Sequence, residues 1–322
     1  MKLIRPSFEI LEQKPRAIVI PADMEIGPRM VREELLSSVY RQIEIAGRTC
    51  YKSEDKITDT SAKEFVERMV KSGHGAMLEH GTVYLLLNMA SRQQYFKYCS
   101  NPYSVANSTG EAEKGTWLGF VTTNYRVLVE NNWLDDLQYI CEPGKEHEKR
   151  ITVKFVCDRG VSHEFVRHRV FSFAQESTRY CNYSKDKFGN ELTFIIPCWL
   201  DIPEDTYTLG KLRSKDNPEQ TCMVEISKNH GAYNVESAIG KFLHVLDYSS
   251  DRYMELINEG WKPQQARAVL PNSLKTELIM TGTIEQWKGF FVLRDAPSAH
   301  PQARELAEPL HAEFIKRGWL NN

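Results

Sequence analysis

No two cysteines in this chain are spaced as C-x-x-C, and the seven present (Cys50, Cys99, Cys141, Cys157, Cys181, Cys198 and Cys222) are odd in number and widely scattered. That pattern argues against a disulfide framework and against a cysteine zinc site, and it suits a reducing compartment. Long apolar runs are also missing: stretches such as Tyr84–Leu87 fall far short of the roughly 20 residues that a membrane helix needs. The opening MKLIRPSFEIL lacks the apolar core of a secretory signal, so a cytoplasmic location with no membrane partner is expected. Neither charge sign dominates. A formal net charge of −2 excludes the broadly basic surface of a nonspecific nucleic-acid binder, and any useful positive charge must be focused locally. Repeats of 20–50 residues and low-complexity tracts are absent too.

What the chain does have is bulk. With 322 residues and 41% hydrophobic content it can fill a large core, and a single catalytic domain over 1–322 is expected. Residues 2–20 alternate loosely and predict a strand or two ending near Pro21. From Arg29 the spacing of Val31, Leu35, Leu36, Val39, Ile43 and Ala46 predicts a helix that stops at Gly47. Ser61 with Glu64 reads as a capping box opening a second helix, whose inner face is Phe65, Met69 and Val70. Glu79 and His80 then precede a strand at Thr82–Leu87, where His80 either caps the strand or reaches a ligand.

Further on, the expectations are a helix over 91–99, a loop over 101–115, a strand over 120–129 and a helix over 133–140. ITVKFVCD (151–158) is a β-branched strand, and the helix that follows it carries RGVSHEFVRHR. TFIIP (193–197) is a short buried strand, 201–219 a polar connection, and 218–258 a long helix that breaks at Gly231 or Gly240. Pro263, Thr283 and Pro301 each open a helix. Strands mixed with long helices, without regular βαβ alternation, give an α+β class with a mainly antiparallel sheet.

The chemistry concentrates in RHRVFSFAQESTRY (167–180). Fourteen residues hold Arg167, His168, Arg169, Ser172, Gln175, Ser177, Thr178 and Arg179, together with the rings of Phe171, Phe173 and Tyr180. Arginine forks match phosphate oxygens and hydroxyls complete such a cradle. Glu164, one turn before, could equally make a surface ion pair with Arg167 or His168 worth about 0.3–0.5 kcal/mol, so a phosphate site and a charge network both fit. HEFVRH is not a zinc helix, because His168 is five residues after His163 and lies about 140° away from it. Pro197-Cys198 superficially suggests the attacking cysteine of folate-only thymidylate synthases, but Trp199 stands where those enzymes have histidine. Cys198 therefore reads as a small buried residue at a strand end.

Arg-His-Arg, seven residues, then Ser177 resembles the signature of the flavin-dependent thymidylate synthases. GRTCYKS (47–53), GHGAMLEH (73–80), ARAVLP (266–271) and FFVLRDAPSAHPQARELAEPL (290–310) resemble further family segments in the same chain order. The departures are Cys50 for serine, Met77 for proline, Glu164 where some members have glutamine, and Gln175 for a glutamate, with Glu176 adjacent. Asparagines of the family fall at Thr283 and Gly289. His80 and Arg167 are 86 residues apart instead of a couple of dozen, which implies an insertion over about 90–150.

The resemblance implies the family's fold and a reaction, methylation of dUMP to dTMP with 5,10-methylenetetrahydrofolate as one-carbon donor, NADPH as reductant and FAD as cofactor. It also implies a homotetramer. Carried over, Cys50, His80, Arg167, His168, Arg169, Gly289 and His300 would hold the flavin. Glu164, Arg167, Gln175, Ser177, Thr178, Arg179, Arg267 and Arg294 would hold the nucleotide. Catalytic roles would fall to Ser177, Arg294 and His80, with no metal and no cysteine nucleophile. A different FAD-dependent nucleotide reductase without folate chemistry is the alternative enzyme. An RNA-binding platform of arginines and rings is the alternative of another class, and the net acidity disfavours it.

Overall fold

The structure, a computed structural model, describes residues 1–15, 28–213 and 221–321. In chain order the elements are β1 (Lys2–Ile4), β2 (Ser7–Leu11), α1 (Pro28–Tyr51), α2 (Ser61–Lys71), α3 (Gly75–Leu78), β3 (Thr82–Leu87), α4 (Arg92–Cys99), β4 (Val105–Thr109), β5 (Leu118–Asn124) and α5 (Tyr125–Glu130). Next come β6 (Arg150–Asp158), α6 (Arg159–Phe165), β7 (Ser172–Gln175), β8 (Thr193–Ile195), β9 (Asp205–Arg213), β10 (Thr221–Ser227) and β11 (Gly231–Asn234). The last are α7 (Ala238–Asn258), α8 (Pro263–Ala266), β12 (Lys275–Thr283), α9 (Ile284–Arg294) and α10 (Pro301–Lys316). Among the described residues three sheets form, ordered β11-β10-β9-β1-β8, β2-β6-β12-β7 and β3-β5-β4, and β1 with β8 is the one parallel pairing there. The chain is α+β with mainly antiparallel sheets.

Strand β12 organises the middle. It pairs with β6 over nine residues on one side and with β7 over four on the other, so its backbone is satisfied on both edges. Successive side chains point to opposite faces. Leu278 and Met280 join Val153, Phe155 and Cys157 of β6 beneath α6, α9 and α10. On the opposite face, Ile279 packs with Ala174 of β7 against Ala46 of α1. A second core lies between α1, α2 and the β3-β5-β4 sheet, and a third between α7 and the β9-β1-β8 strands.

Several expectations are corrected. Helix α1 runs through Gly47 to Tyr51; a Cβ at Gly47 would come within 2.4 Å of the Phe65 ring, so this glycine permits a close crossing with α2 and does not end the helix. Ser61 is the first residue of α2 rather than its cap. Its hydroxyl donates to Glu44 Oε2 (2.9 Å), so no capping box with Glu64 forms. The inner face of α2 uses Val66 where Val70 was expected, and Val70 is exposed.

The loop over 101–115 contains β4, and the strand over 120–129 ends early because the Asn124 side chain accepts from Val127 N–H (3.2 Å) and caps α5. The polar connection over 201–219 contains β9, and of the expected helix over 218–258 the described part, 221–258, is two strands and then a helix. Seven consecutive pairs between β10 and β9 outweigh the helical spacing read there, and Ser237 caps the true helix by accepting from Gly240 N–H. Pro21 and Pro218, expected as element ends, lie outside the described residues. Cys198 is exposed, not buried: the strand stops at Ile195 and the chain turns outward after Pro197.

Trp287 of α9 is fully buried, its ring 4.7 Å from Phe171 and 5.5 Å from Phe314, and its Nε1–H donates to Ile151 O (3.0 Å). Trp287→Ala is expected to destabilise the fold by about 3–5 kcal/mol, read as a lowered urea midpoint with an unchanged slope. A loss below about 1 kcal/mol would show that this core does not depend on it.

Candidate active site

Helix α6 begins where Asp158 accepts from Val161 N–H (2.6 Å), and it ends just before Arg167-His168-Arg169. At that end Glu164 pairs with neither Arg167 nor His168. The last residue of α9, Arg294, reaches it instead, donating from one terminal nitrogen to Glu164 Oε2 (2.6 Å), from the other to Glu164 O (2.8 Å), and from Nε to His168 Nε2 (3.0 Å). His168 must be neutral to accept that bond. Burial, with the neighbouring Arg294 cation, pushes its pKa down to about 4. Arg167 and Arg169 are exposed, with no side-chain acceptor among the described residues.

Beyond β7 the chain turns again. Ser177 N–H donates to Cys50 O (3.0 Å), which ties the turn to the last turn of α1, and the Tyr51 and Tyr180 rings lie 5.4 Å apart. Arg267 donates to Thr178 Oγ1 (3.1 Å) and Arg179 to Gln264 Oε1 (3.3 Å), so α8 and the residue after it dock onto the same turn. An open cleft of about 480 Å³ adjoins it, lined by Arg48, Tyr51, Lys56, Arg68, His74 and Lys187 among others.

A buried charge network supports this turn from the α1 face of β12. Glu277 meets Lys52 (2.8 Å), Lys154 (2.6 Å) and Lys275 (2.6 Å), and Lys275 also meets Glu176 (2.9 Å). Burial alone would push Glu277 up, but Lys275 and then Lys52 hold its carboxyl well below the usual range. Glu176, whose other oxygen accepts from Tyr183 OH (3.1 Å), is thereby committed to the network. Gln175 donates to Ser162 Oγ (2.8 Å) and Thr276 Oγ1 (3.3 Å) on the opposite face.

Two further groups sit on the α1 face. His80 is fully enclosed, its Nδ1 2.8 Å from Thr281 Oγ1, which is in turn 2.8 Å from Thr152 Oγ1 across the β12–β6 pair. Its Nε2 has no hydrogen-bond partner of ordinary geometry among the described residues, although the Phe173 backbone slightly favours its charged form. Burial, reinforced by Arg150, pushes His80 down to about 3. Arg150, the first residue of β6, donates from one terminal nitrogen to Glu79 O (3.0 Å) and Thr82 Oγ1 (3.2 Å), and from the other to Ser172 Oγ (3.2 Å).

The structure therefore joins the sequence candidates in two groups, Glu164–His168–Arg294 and Cys50–Ser177–Thr178–Arg179–Arg267, with Arg167 and Arg169 exposed at the first. The others stand apart. His80 has no open surface, Gly289 is exposed on α9 with open space at its Cβ position, and His300 is exposed before α10 with the Trp199 ring 6.0 Å away. Sequence reasoning missed Lys52, Lys154, Lys275, Glu277 and Arg150. One signal was present: in β12, Lys275, Glu277 and Thr281 share a face by the two-residue period.

The profile of the family described as thymidylate synthase complementing protein matches residues 146–317, a little over half of the chain. A flavin-dependent thymidylate synthase of Pyrococcus furiosus is 29% identical over 205 residues, which is 62% of this chain and 70% of that protein. One from Pyrococcus abyssi is 26% identical over 161 residues, 50% of this chain and 52% of its own length. One from Corynebacterium glutamicum is 23% identical over 290 residues, 89% and 77% respectively. Among solved structures, a UMP/dUMP methylase PolB from Streptomyces cacaoi bound with 5-Br dUMP aligns over 98% of this chain and 93% of its own. It does so at 16% identity and a TM-score of 0.38.

The enclosed His80 yields a pH prediction. Its folded pKa, about 3, lies below the ordinary value of 6.5, so the unfolded chain takes up the proton first as pH falls. Stability is full above about pH 6.5 and declines toward pH 3 with a slope of up to about 1.4 kcal/mol per unit. Urea unfolding between pH 7 and 4 should show that slope reduced by one proton in His80→Gln. Parallel pH profiles would mean that the ring is not held neutral.

Proposed function

Because the chain belongs to the thymidylate synthase complementing protein family, we propose that it is a flavin-dependent thymidylate synthase, methylating C5 of dUMP with methylenetetrahydrofolate as donor, NADPH as reductant and FAD as cofactor. The observation that carries this reading is the position of the family match. Residues 146–317 include the 167–180 turn, Arg267 and Arg294, the residues that the fold gathers at the ends of α6 and β7. On this reading the family's fold is the one the chain adopts, and the protein works in the cytoplasm.

The residues fit a phosphate-bearing cofactor. Arg167 and Arg169 present guanidinium groups that no side chain of the described residues satisfies, at the mouth of the turn. These two arginines would hold the FAD, which supplies hydride and one-carbon transfer chemistry when bound. Ser177, Thr178, Arg179 and Arg267 would hold the nucleotide phosphate, with Arg267 already oriented by Thr178. Arg294 would face the pyrimidine carbonyl edge, where negative charge develops as C5 becomes nucleophilic. Glu164 and neutral His168 hold that guanidinium in place beforehand, so it needs little reorganisation as charge builds. No thiol is called on: Cys50 is pushed up by burial and so kept protonated, and Cys198 lies in the exposed turn beside Trp199.

A homotetramer with shared sites belongs to the same reading. The exposed Gly289 and His300, and the exposed apolar Val292 and Leu293 between them, support it. His80 has no open surface within this subunit, and it would support β12 through Thr281.

Purified protein should be yellow, its flavin absorbance should change on adding dUMP, and dTMP should form only when methylenetetrahydrofolate and NADPH are both supplied. NADPH consumption without dTMP would favour the nucleotide-reductase alternative. Arg294→Ala is expected to lower kcat by about 10²–10³, with a near-native urea midpoint. Near-normal turnover would remove Arg294 from the mechanism.

A further inference from the structure

Arg294 is the last residue of α9, at the kind of helix end that frays most readily. Its guanidinium is held at three points, by Glu164 Oε2, Glu164 O and His168 Nε2. Those contacts orient the head of the side chain and leave its stem to follow the helix end. What fixes the helix end begins with the next residue. Asp295 closes α9 by donating its N–H to Phe291 O (2.9 Å), yet its carboxylate sits at the negative end of the helix dipole. Two basic groups of α10 offset that placement. His311 Nδ1 is 2.8 Å from Asp295 Oδ2, and Arg304 Nε is 3.8 Å from Oδ1.

The imidazole is itself placed by packing. It stacks on Phe291, with ring centroids 4.5 Å apart and planes 12° from parallel, and Phe291 is buried against Trp287 and Phe314. Phe291 lies three residues before Arg294, so the ring stack and the ion pair hold the final turn of α9 from both sides of that arginine. The same helix α10 also reaches the start of α6. There Gln302 donates to Asp158 Oδ2 (2.7 Å), the carboxylate that caps α6. The helix carrying Arg294 and the helix carrying Glu164 thus share one support.

We propose that Asp295 and His311 form a positioning latch, an ion pair between α9 and α10 that sets the helix end so that the Arg294 guanidinium stands where negative charge develops. Both residues act through Arg294 and not on the substrate. A long side chain can keep its bonds to Glu164 and His168 while its backbone drifts, but the distance to a reacting atom tolerates no such drift. The inference rests on the proposed reaction for what Arg294 does, and on the geometry alone for how it is held.

Two readouts test it on the purified full chain. The first needs no turnover. Burial, with the Arg294 cation beside it, holds His168 at about 4, below the ordinary 6.5. In histidine-labelled protein, the NMR titration of His168 should move up toward 6.5 in Asp295→Asn and in His311→Ala, as it should in Arg294→Ala. His311→Gln, whose amide can still donate to the carboxylate, should shift it less than His311→Ala. Asp295→Asn is nearly isosteric and keeps the test alive if His311→Ala folds poorly.

The second readout is a double-mutant cycle. Asp295→Asn should lower kcat about tenfold in the wild-type background and no further in the Arg294→Ala background. An unmoved His168 titration in both latch variants, or equal losses of kcat in the two backgrounds, overturns the latch. If dTMP forms in that case, the reaction stands and only the latch falls. If the His168 titration moves but the wild type makes no dTMP, the latch stands without the reaction.

Discussion

Everything near the candidate site depends on β12 being a strand buried on both faces and paired on both edges. Its nine-residue ladder with β6 and four-residue ladder with β7 fix register, and register decides which side chains face α1. A slip of one residue would send Glu277 and Thr281 into the aromatic core around Trp287 and bring Leu278 against lysines. The alternation is thus specified from both sides, by apolar packing on one face and by charge pairing on the other.

That arrangement divides the labour. The face toward α9 and α10 is dry and aromatic and holds α6 and α9 rigidly, so that their two ends bring Glu164, His168 and Arg294 together. The face toward α1 carries the Glu277 charge network beside a small apolar patch, and it anchors the Ser177 turn through Cys50 O and Glu176. The groups aimed outward, Arg167, Arg169 and Arg179, have no acidic partner among the described residues, and they stand on the side where the proposed anion binding would occur.

Much of this was legible in the chain. Local signals read correctly: the β3 strand after His80, the β6 run, the Thr283 cap confirmed by its Gln286 partner, and Pro301 at the start of α10. The charge density at 167–180 pointed to the turn that the fold places at the ends of two elements. The illegible parts were those decided by distant partners. TCMVEIS became β10 because β9 was there to pair with it, and Glu164 chose Arg294, 130 residues away, over its own helix neighbours. Gly47 looked like a stop because sequence shows the missing side chain and not the Phe65 ring that occupies its place.

The three lysines around Glu277 have an evolutionary corollary. Replacing any one lysine leaves the carboxylate two cations, whereas replacing Glu277 takes the acid from Lys154 and leaves Lys52 and Lys275 with Glu54 and Glu176 alone. Drift through this cluster is therefore directional: lineages can shed a lysine singly, but the acid is reachable for change only after its basic neighbours have already gone.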